Sequence, residues 1–192
     1  MIKIICVAYE RPIAMRGLID SFILQTNPAW ELNIIHDGPA PKNIMDTIAL
    51  YNDERVKFKC SATRTQNYGH VNRKMMLDSM RKSEDFLLMT NDDNYYTPVF
   101  VEYMLRECKP DVGFVYCDSV HSHFHYNHHN TKIQEHWIDI GSFIVKLNVA
   151  KQTGFNNVTW SADGVYAEEC LANCKKLGLR DVYIPKPIFI HN

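Results

Sequence analysis

The residues best suited to catalytic chemistry lie together at 91–94, in the order Asn-Asp-Asp-Asn, directly after the apolar segment 86–89. Two adjacent carboxylates repel each other, so placing Asp92 and Asp93 at the end of a buried strand costs free energy unless a cation offsets their charge. Hard divalent ions such as Mg²⁺ and Mn²⁺ prefer oxygen ligands, and such an ion can stabilise a diphosphate as a leaving group. An ordinary Asn/Asp turn in solvent is the competing interpretation.

Two other segments end strand-like runs with polar groups. Asp37 follows the apolar run 32–36, where its carboxylate can accept hydrogen bonds from a nucleobase or ribose, or begin an Asp-Gly turn. The first strand-like run ends at Ala8, Tyr9 and Glu10, whose backbone groups can bind the base. In a parallel sheet these segments meet at the same edge as the acidic pair.

Residues near helix starts supply further candidates. Gly69 precedes a helical segment that contains Arg73, and a loop that leads into a helix N-terminus is a natural neighbour of a diphosphate. A lone arginine is otherwise usually a solvated surface charge. Asp163 lies just before the last long helical segment. It can serve as that helix's N-cap or as a general base that deprotonates an acceptor hydroxyl.

Histidines crowd the polar segment 119–136. The alternation of His121, His123 and His125 would place three imidazoles on one face of a strand, a pattern that suits a transition metal. We expect instead a mobile polar excursion beside the acceptor site, in which metal binding is incidental. His191 differs because it ends the last apolar run, where a loose tail would be polar and unpatterned.

The elements that must position these residues alternate between strand and helix. This order is typical of a mostly parallel sheet with helices on both faces, whose ligands bind at the carboxyl ends of the strands. We predict strands at 2–8, 32–36, 56–60, 86–89, 112–117, 138–145 and 182–190, and helices that begin at 12 and 98, surround 44–51, and span 71–80 and 165–177.

Length and composition restrict the class of protein. The 192 residues, 46% of them hydrophobic, suit one soluble globular domain, and a net charge of −1 argues against a nucleic-acid or polybasic membrane surface. No apolar run approaches the roughly 20 residues of a transmembrane helix, and the start lacks signal-peptide features. The six cysteines form no CxxC pair, and several lie in apolar stretches, so we expect buried free thiols at these positions, Cys170 and Cys174 included, and a cytoplasmic location.

Taken in order, these motifs resemble the GT-A fold of family 2 glycosyltransferases along nearly the whole chain. Residues 2–26 resemble the family's opening strand, Tyr-x-Arg-Pro motif and helix ending in Gln-Thr. The turn 36–39 resembles its Asp-Asp-Gly-Ser, whose aspartate contacts uracil, and 67–73 resembles its Asn-x-Gly-x-x-x-Ala-Arg stretch beside the nucleotide. Residues 86–98 resemble the strand with the metal-binding Asp-x-Asp, in a form close to the Thr-Asp-Asp-Asn of some spore-coat relatives.

The second half of the chain resembles the family's acceptor-binding and catalytic segments. Residues 138–143 resemble the segment that lines the acceptor site, and Asp163 falls where the family has Glu-Asp, which implies that it is the catalytic base. His191 matches the C-terminal histidine that ligates the metal in some members. Two positions depart from the pattern: Ala162 replaces the glutamate, and Asn91 stands at the first position of the metal motif.

The resemblance implies a fold, an activity and a set of ligands. The fold is α/β, a single Rossmann-like GT-A domain over 1–192 with a mostly parallel central sheet, helices on both faces and a small antiparallel second sheet. The activity is metal-dependent, inverting transfer of a sugar from a nucleoside-diphosphate sugar, a UDP-sugar in this resemblance, to a hydroxyl on a glycan, protein or lipid-linked acceptor. The implied ligands of Mn²⁺ or Mg²⁺ are Asp92, Asp93 and His191. The implied nucleotide-binding residues are Ala8, Tyr9, Glu10, Asp37, Gly69, Arg73 and Asp92.

Three alternatives remain open on the sequence alone. A nucleotidyltransferase shares the α/β layout but needs a glycine-rich basic loop after the first strand, and residues 8–16 contain two arginines and no glycine. Ala162 and Asn91 favour a degenerate nucleotide-sugar-binding module without turnover. The histidine-rich segment would suit a histidine-dependent metal protein.

Overall fold

The computed structural model describes residues 1–81 and 83–192, and these residues form a nine-stranded sheet. The expected strands are present, although several are longer than their apolar runs. The strands are β1 (Ile2–Ala8), β2 (Trp30–His36), β3 (Val56–Cys60), β4 (Phe86–Asn91), β5 (Tyr95–Tyr96), β6 (Val112–His121), β7 (Asn127–His129), β8 (Phe143–Lys146) and β9 (Arg180–His191).

The order of the strands confirms the expected α/β fold class. Neighbours follow the order β3-β2-β1-β4-β8-β6-β9-β5, and β7 pairs with β6. The pairs among β1 to β4 are parallel, as is the long pair of β6 with β9. The pairs that involve β5, β7 and β8 are antiparallel. These antiparallel strands, expected as a second sheet, continue the main sheet through β8.

Helices cover both faces of the sheet, as predicted. The helices are α1 (Pro12–Ile23), α2 (Lys42–Ile48), α3 (His70–Ser79), α4 (Phe100–Glu107), α5 (Leu147–Thr153) and α6 (Ala162–Lys176). One core contains buried residues of α1, α2 and α4, and the other contains those of α3, α5 and α6. The described helices include none that is long and apolar enough to cross a membrane.

Strand β1 lies between these two cores and is buried along almost its whole length. Ile4 and Cys6 pack into the core beneath α1, whereas Ile5 and Val7 pack into the core beneath α3. Side chains alternate between the two faces of a strand, so a central strand covered on both faces must be continuously apolar. This requirement explains why the opening segment was recognisable from its sequence.

Residues 138–145 depart from the prediction of one strand. Asp139 accepts a hydrogen bond from the backbone N–H of Gly141 at 2.7 Å and caps a 3₁₀ turn, Ile140–Ser142, before β8 begins. A Cβ at Gly141 would lie 2.6 Å from the ring of Phe189, so the chain passes too close to β9 for a side chain. Because of this turn the strand begins at Phe143, later than predicted, and α5, which was not predicted, follows β8.

The histidine-rich segment is built into the sheet and does not form the loose excursion that the sequence suggested. His121 ends β6, a 3₁₀ turn follows at Ser122–Phe124, and β7 pairs back onto β6. The ring of Phe124 stacks on that of His129 with centroids 4.4 Å apart. The thiols of Cys170 and Cys174 are buried in the core beneath α6, as expected.

Two glycine substitutions test the packing of this fold. A Cβ at Gly164 in α6 would lie 2.5 Å from the Cα of Glu135, which is backbone and cannot rotate away. We expect Gly164→Ala to lower the free energy of unfolding by about 1–3 kcal/mol because the contact is overpacked. Gly17→Ala in α1 is the matched control, since its Cβ would meet nothing within 4 Å.

The control should raise the free energy of unfolding by about 0.5–1 kcal/mol, the difference between alanine and glycine inside a helix. Urea denaturation measures both changes. Equal stabilisation by the two substitutions would show that residue 135 does not pack against α6.

Candidate functional site

Three parallel strands end side by side and bring predicted nucleotide-binding residues together. β1 pairs in parallel with β2 and with β4 up to their carboxyl ends. The backbone N–H of Asp37 donates a hydrogen bond to the carbonyl of Ala8 at 2.9 Å. The backbone N–H of Tyr9 donates to Oδ2 of Asp92 at 3.1 Å. These bonds tie the segments that follow the three strands into one edge.

A cavity of about 370 Å³ opens at this edge, and we call it the first cavity. Its wall includes predicted residues from four segments of the chain: Ala8, Tyr9, Asp37, Gly69 and Asp93. Three predicted nucleotide-binding residues lie outside this wall: Glu10, Arg73 and Asp92. The first cavity therefore contains most of the predicted nucleotide site.

Arg64 and Tyr9 form a flat platform in the wall of the first cavity. The guanidinium of Arg64 lies 3.8 Å from the centroid of the Tyr9 ring, within the range of a cation–π contact. The Tyr9 ring also stacks on His36 at a centroid distance of 5.7 Å. A planar stack of this kind suits the face of a nucleobase. The sequence analysis missed the contribution of His36 and Arg64 to this platform.

Asp37 is the anchor of the loop that closes the first cavity. Its Oδ1 accepts hydrogen bonds from the backbone and side chain of Thr65 and from Asn72, and its Oδ2 accepts one from the backbone N–H of Gln66. Burial alone would raise the pKa of Asp37, but these hydrogen bonds together lower it below its ordinary value. Asp37 is thus held ionised and fixes the loop at 65–66.

The segment that this anchor holds is strained. Gln66, Asn67 and Tyr68 all have φ between 48° and 58°, in the left-handed region that side chains disfavour. Gly69 follows with φ of 75°, and a Cβ there would lie 2.3 Å from Val7. This segment passes so close to β1 that only glycine fits at position 69. The exposed ring of Tyr68, one residue earlier, consequently lies in the wall of the first cavity.

Arg73 is buried and holds this segment in place through hydrogen bonds. Its Nη1 donates to the carbonyl of Tyr68 at 2.8 Å and lies 3.0 Å from Nδ1 of His70, while Nη2 donates to Asn91. Burial and the Arg73 charge lower the pKa of His70 to about 4, so its ring is neutral and accepts this bond. Arg73 therefore connects the strained segment to the end of β4.

The acidic pair after β4 is balanced by a residue that the sequence analysis did not assign. Arg11, at the start of α1, pairs with both Asp92 and Asp93. Burial raises the pKa of Asp92 to about 6, and the Arg11 charge opposes this rise. Asp92 is fully buried, whereas Asp93 is partly exposed and lines the first cavity. Only the second carboxylate of the pair is therefore open to a ligand in that cavity.

A second cavity of about 320 Å³ adjoins the first. The two share Tyr68 and Asn91 in their walls, so they meet at the end of β4. The wall of the second cavity includes the predicted base Asp163, together with Asp139 and His191. Exposed aromatic rings surround its mouth, contributed by Tyr68, Phe124, Trp137 and Trp160.

Two carboxyl groups in the second cavity have raised pKa values. Burial raises the pKa of Asp163 to about 6, the neighbouring Asp139 carboxylate raises it further, and the Arg73 charge opposes both effects. Burial likewise raises the pKa of Asp139 to about 6, against the hydrogen bond from Gly141. A carboxylate that titrates near neutral pH is suited to proton transfer.

His191 lines the second cavity, whereas Asp93, which the resemblance assigned to the same metal, lines the first. Its Nε2 is 3.6 Å from Oδ2 of Asp139, and its ring stacks on His121 at a centroid distance of 3.9 Å. Of the predicted metal ligands, Asp92 and Asp93 contact Arg11 and His191 contacts Asp139, and the charge of Asp93 opposes the lowering of the His191 pKa by burial. The sequence gave Asp139 no role beyond its place in the acceptor-lining segment.

The chain is similar to known proteins in its three-dimensional structure. Its sequence matches no family model and no curated protein. The structure superposes on residues 1–349 of S. aureus TarS with a TM-score of 0.79 at 12% identity, over all of this chain and 60% of that one. The fold is of the GT-A type.

Two ligand complexes of the same protein are also similar. TarS with UDP matches with a TM-score of 0.78 at 11% identity and TarS with UDP-GlcNAc with 0.76 at 12%, covering all of this chain and 60% and 59% of those chains. The present chain thus spans about three fifths of the TarS length compared. At this identity the similarity establishes the fold.

The Asp37 anchor generates a stability prediction. Asp37→Ala leaves the buried Asn72 amide and the partly buried N–H groups of Thr65 and Gln66 without their acceptor, so we expect the free energy of unfolding to fall by about 2–4 kcal/mol at pH 7. Asp46→Ala is the control, because Asp46 forms an exposed pair with Lys42 and should change stability by less than about 0.5 kcal/mol.

The difference in the free energy of unfolding between Asp37→Ala and Asp46→Ala should depend on pH. The folded-state pKa of Asp37 is lowered, so its ionised form stabilises the fold above the unfolded-state value and loses this effect as the pH falls through the folded-state pKa. Denaturation at pH 7 and at pH 3 measures the difference. A constant difference would show that the charge of Asp37 does not hold the loop.

Proposed function

We propose that the chain is a nucleotide-sugar glycosyltransferase that binds the donor in the first cavity and the acceptor in the second. The observation that carries this proposal is the junction of the two cavities at Tyr68 and Asn91. One cavity has an aromatic platform and an accessible carboxylate; the other has a carboxylate with a pKa near 6. The complexes of TarS with UDP and UDP-GlcNAc support a UDP-sugar as donor.

The nucleoside would lie against the platform of Arg64 and Tyr9. Oδ2 of Asp37 accepts one hydrogen bond, from Gln66, and a carboxylate oxygen has room for a second donor. Asp37 also lines the first cavity, so this lone pair is positioned for an N–H of uracil. The loop anchor and the base contact would then be the same residue.

The donor diphosphate would lie toward the end of β4, where Asp93 reaches the cavity. Asp93 suits Mn²⁺ or Mg²⁺, because its oxygen atoms are hard ligands and its partner Arg11 is 48% exposed and can turn into solvent. Bound there, the ion would stabilise the negative charge of the leaving diphosphate. Asp92 is buried behind this position, and its bond to the Tyr9 backbone makes it a positioning residue in our proposal.

The acceptor hydroxyl would approach from the second cavity. Asp163 would take its proton while the acceptor oxygen attacks the anomeric carbon, and the bond from that carbon to the diphosphate oxygen breaks on the opposite face. This sequence inverts the anomeric configuration and releases the nucleoside diphosphate. Arg73 contributes a positive charge that opposes the rise in the pKa of Asp163 and so favours its ionised form.

The walls of the second cavity favour a sugar ring in the acceptor. Trp137 and Trp160 are 42% and 63% exposed, and large exposed rings beside a cavity mark a binding surface. The neighbouring His136 stacks on Trp160 at 5.6 Å and widens this apolar face. Sugars present C–H groups on one face and hydroxyls at the edge, which matches aromatic walls beside carboxylates. We therefore propose a glycan acceptor.

The donor site is tested by titrating UDP into the protein by calorimetry, with Mn²⁺ and then with EDTA. We expect binding with Mn²⁺ that weakens at least about tenfold with EDTA and in Asp93→Ala, because the ion bridges Asp93 and the diphosphate. Asp46→Ala should bind as the wild type does. Binding that is equal with and without metal would refute the metal-dependent site, and no binding under either condition would refute UDP as the nucleotide.

The base is tested with Asp163→Asn, which preserves shape and removes proton acceptance. Transfer should fall at least about 10²-fold while UDP binding persists. Wild-type kcat/KM should fall about tenfold per pH unit below pH 6, because protonated Asp163 cannot accept the proton. Glu169→Gln, an exposed change on the same helix, is the control.

The products distinguish the remaining functions. Retained transfer in Asp163→Asn would refute the base assignment. Release of pyrophosphate in place of UDP would identify a nucleotidyltransferase, and donor binding without turnover on a range of glycans would identify a degenerate binding module.

A further inference from the structure

We propose that His121, Asp139 and His191 form a binding site for a divalent transition-metal ion, separate from the Asp92–Asp93 pair. One ligand atom from each residue lies within 4.8 Å of the other two. All three residues line the second cavity, so the site is open to solvent and to the acceptor. The proposal concerns binding by these side chains and does not depend on the transferase activity.

The sheet itself aligns the two histidines. β6 and β9 are parallel neighbours, and their register pairs His121 with His191 at the ends of both strands. Paired residues on adjacent strands point to the same face of a sheet. The rings accordingly stack with an interplanar angle of 2° and centroids 3.9 Å apart. Two imidazoles are thus held side by side by backbone pairing.

Hydrogen bonds orient the other ligand atoms toward a common point. Nδ1 of His191 lies 2.9 Å from the hydroxyl of Ser122, which can accept its proton and leave the Nε2 lone pair free. Oδ1 of Asp139 accepts from Gly141, which leaves Oδ2 facing Nε2 of His191 at 3.6 Å. Ligands of protein metal sites are commonly fixed in this way by a second hydrogen bond.

The carboxylate of Asp139 would gain from a bound cation. Its side chain is only 11% exposed, and a buried carboxylate is costly without a compensating charge. Among residues 1–81 and 83–192, no lysine or arginine forms an ion pair with it. A divalent ion held by Asp139 and the two histidines would offset this charge.

One existing contact opposes ligation. Nδ1 of His121 accepts a hydrogen bond of 3.2 Å from the backbone N–H of His123. Ligation through either ring nitrogen gives up this bond, since binding through Nε2 moves the ring proton to Nδ1. The bond is long and lies at the exposed end of β6, so its loss is small beside metal coordination.

The chemistry of the three ligands selects the class of ion. Two imidazoles and one carboxylate favour Zn²⁺, Co²⁺ or Ni²⁺ over Mg²⁺ and Ca²⁺, which prefer sites built only of oxygen. Three protein ligands leave at least one position open, as in catalytic zinc sites. That position would face the cavity that Asp163 also lines, where an acceptor hydroxyl could bind the ion.

The experiment uses the untagged protein without nucleotide and titrates Zn²⁺ by calorimetry, with the Co²⁺ absorption spectrum as an independent measure of coordination. We expect one equivalent to bind, and His121→Ala and Asp139→Asn each to weaken binding at least about tenfold, since even a residue that only supports a ligand costs that much. Asp139→Asn keeps the oxygen that caps Gly141, so its fold should be intact.

Two control variants make the test specific to this site. His125→Asn removes an exposed histidine of the same segment at a left-handed position that asparagine tolerates, and Asp46→Ala removes an exposed carboxylate that pairs with Lys42. Neither should change Zn²⁺ binding. Absence of binding, binding unaffected by both ligand variants, or binding lost in either control would overturn the proposal. Loss of UDP binding alone would leave it standing.

Discussion

Much of this structure depends on the balance of charge at the end of β4. Asp92 is fully buried, and an unpaired buried carboxylate costs several kcal/mol. Arg11 supplies the compensating charge from the start of α1, and the backbone N–H of Tyr9 supplies a hydrogen bond. The turn between β1 and α1 is thereby fixed against β4, and this turn carries part of the wall of the first cavity.

A second set of contacts determines how the two cavities meet. The left-handed residues 66–68 would not keep their conformation alone, because each costs free energy. Asp37 holds the segment from the side of β2, and Arg73 holds it from the side of β4. Tyr68 is placed between the cavities as a result, so the same strained segment forms part of both binding surfaces.

The features that the sequence predicted are those that depend on local pattern. β1 could be located because a central strand between two cores must be apolar on both faces, and Asp37 and Asp163 could be proposed because they end or begin recognisable elements. The late start of β8 was missed because the turn at 140–142 depends on close packing against Phe189, far along the chain. The pairing of His121 with His191 was equally hidden, since it follows from the register of β6 and β9. The charge partner Arg11 lies 82 residues from Asp93 and has no local signature.

The place of β9 in the sheet has a kinetic consequence. β9 pairs with β6, where His121 meets His191, and with β5, where Tyr96 meets Phe189. The central pair of β1 with β4 joins residues just as distant in the chain, Ile2 and Phe86. Closing such long segments of chain costs entropy before their contacts are gained, so these pairings are the slow part of folding. The first cavity depends on the pairing of β1 with β4, whereas the wall of the second, which His191 lines, is complete only when β9 has paired with β6.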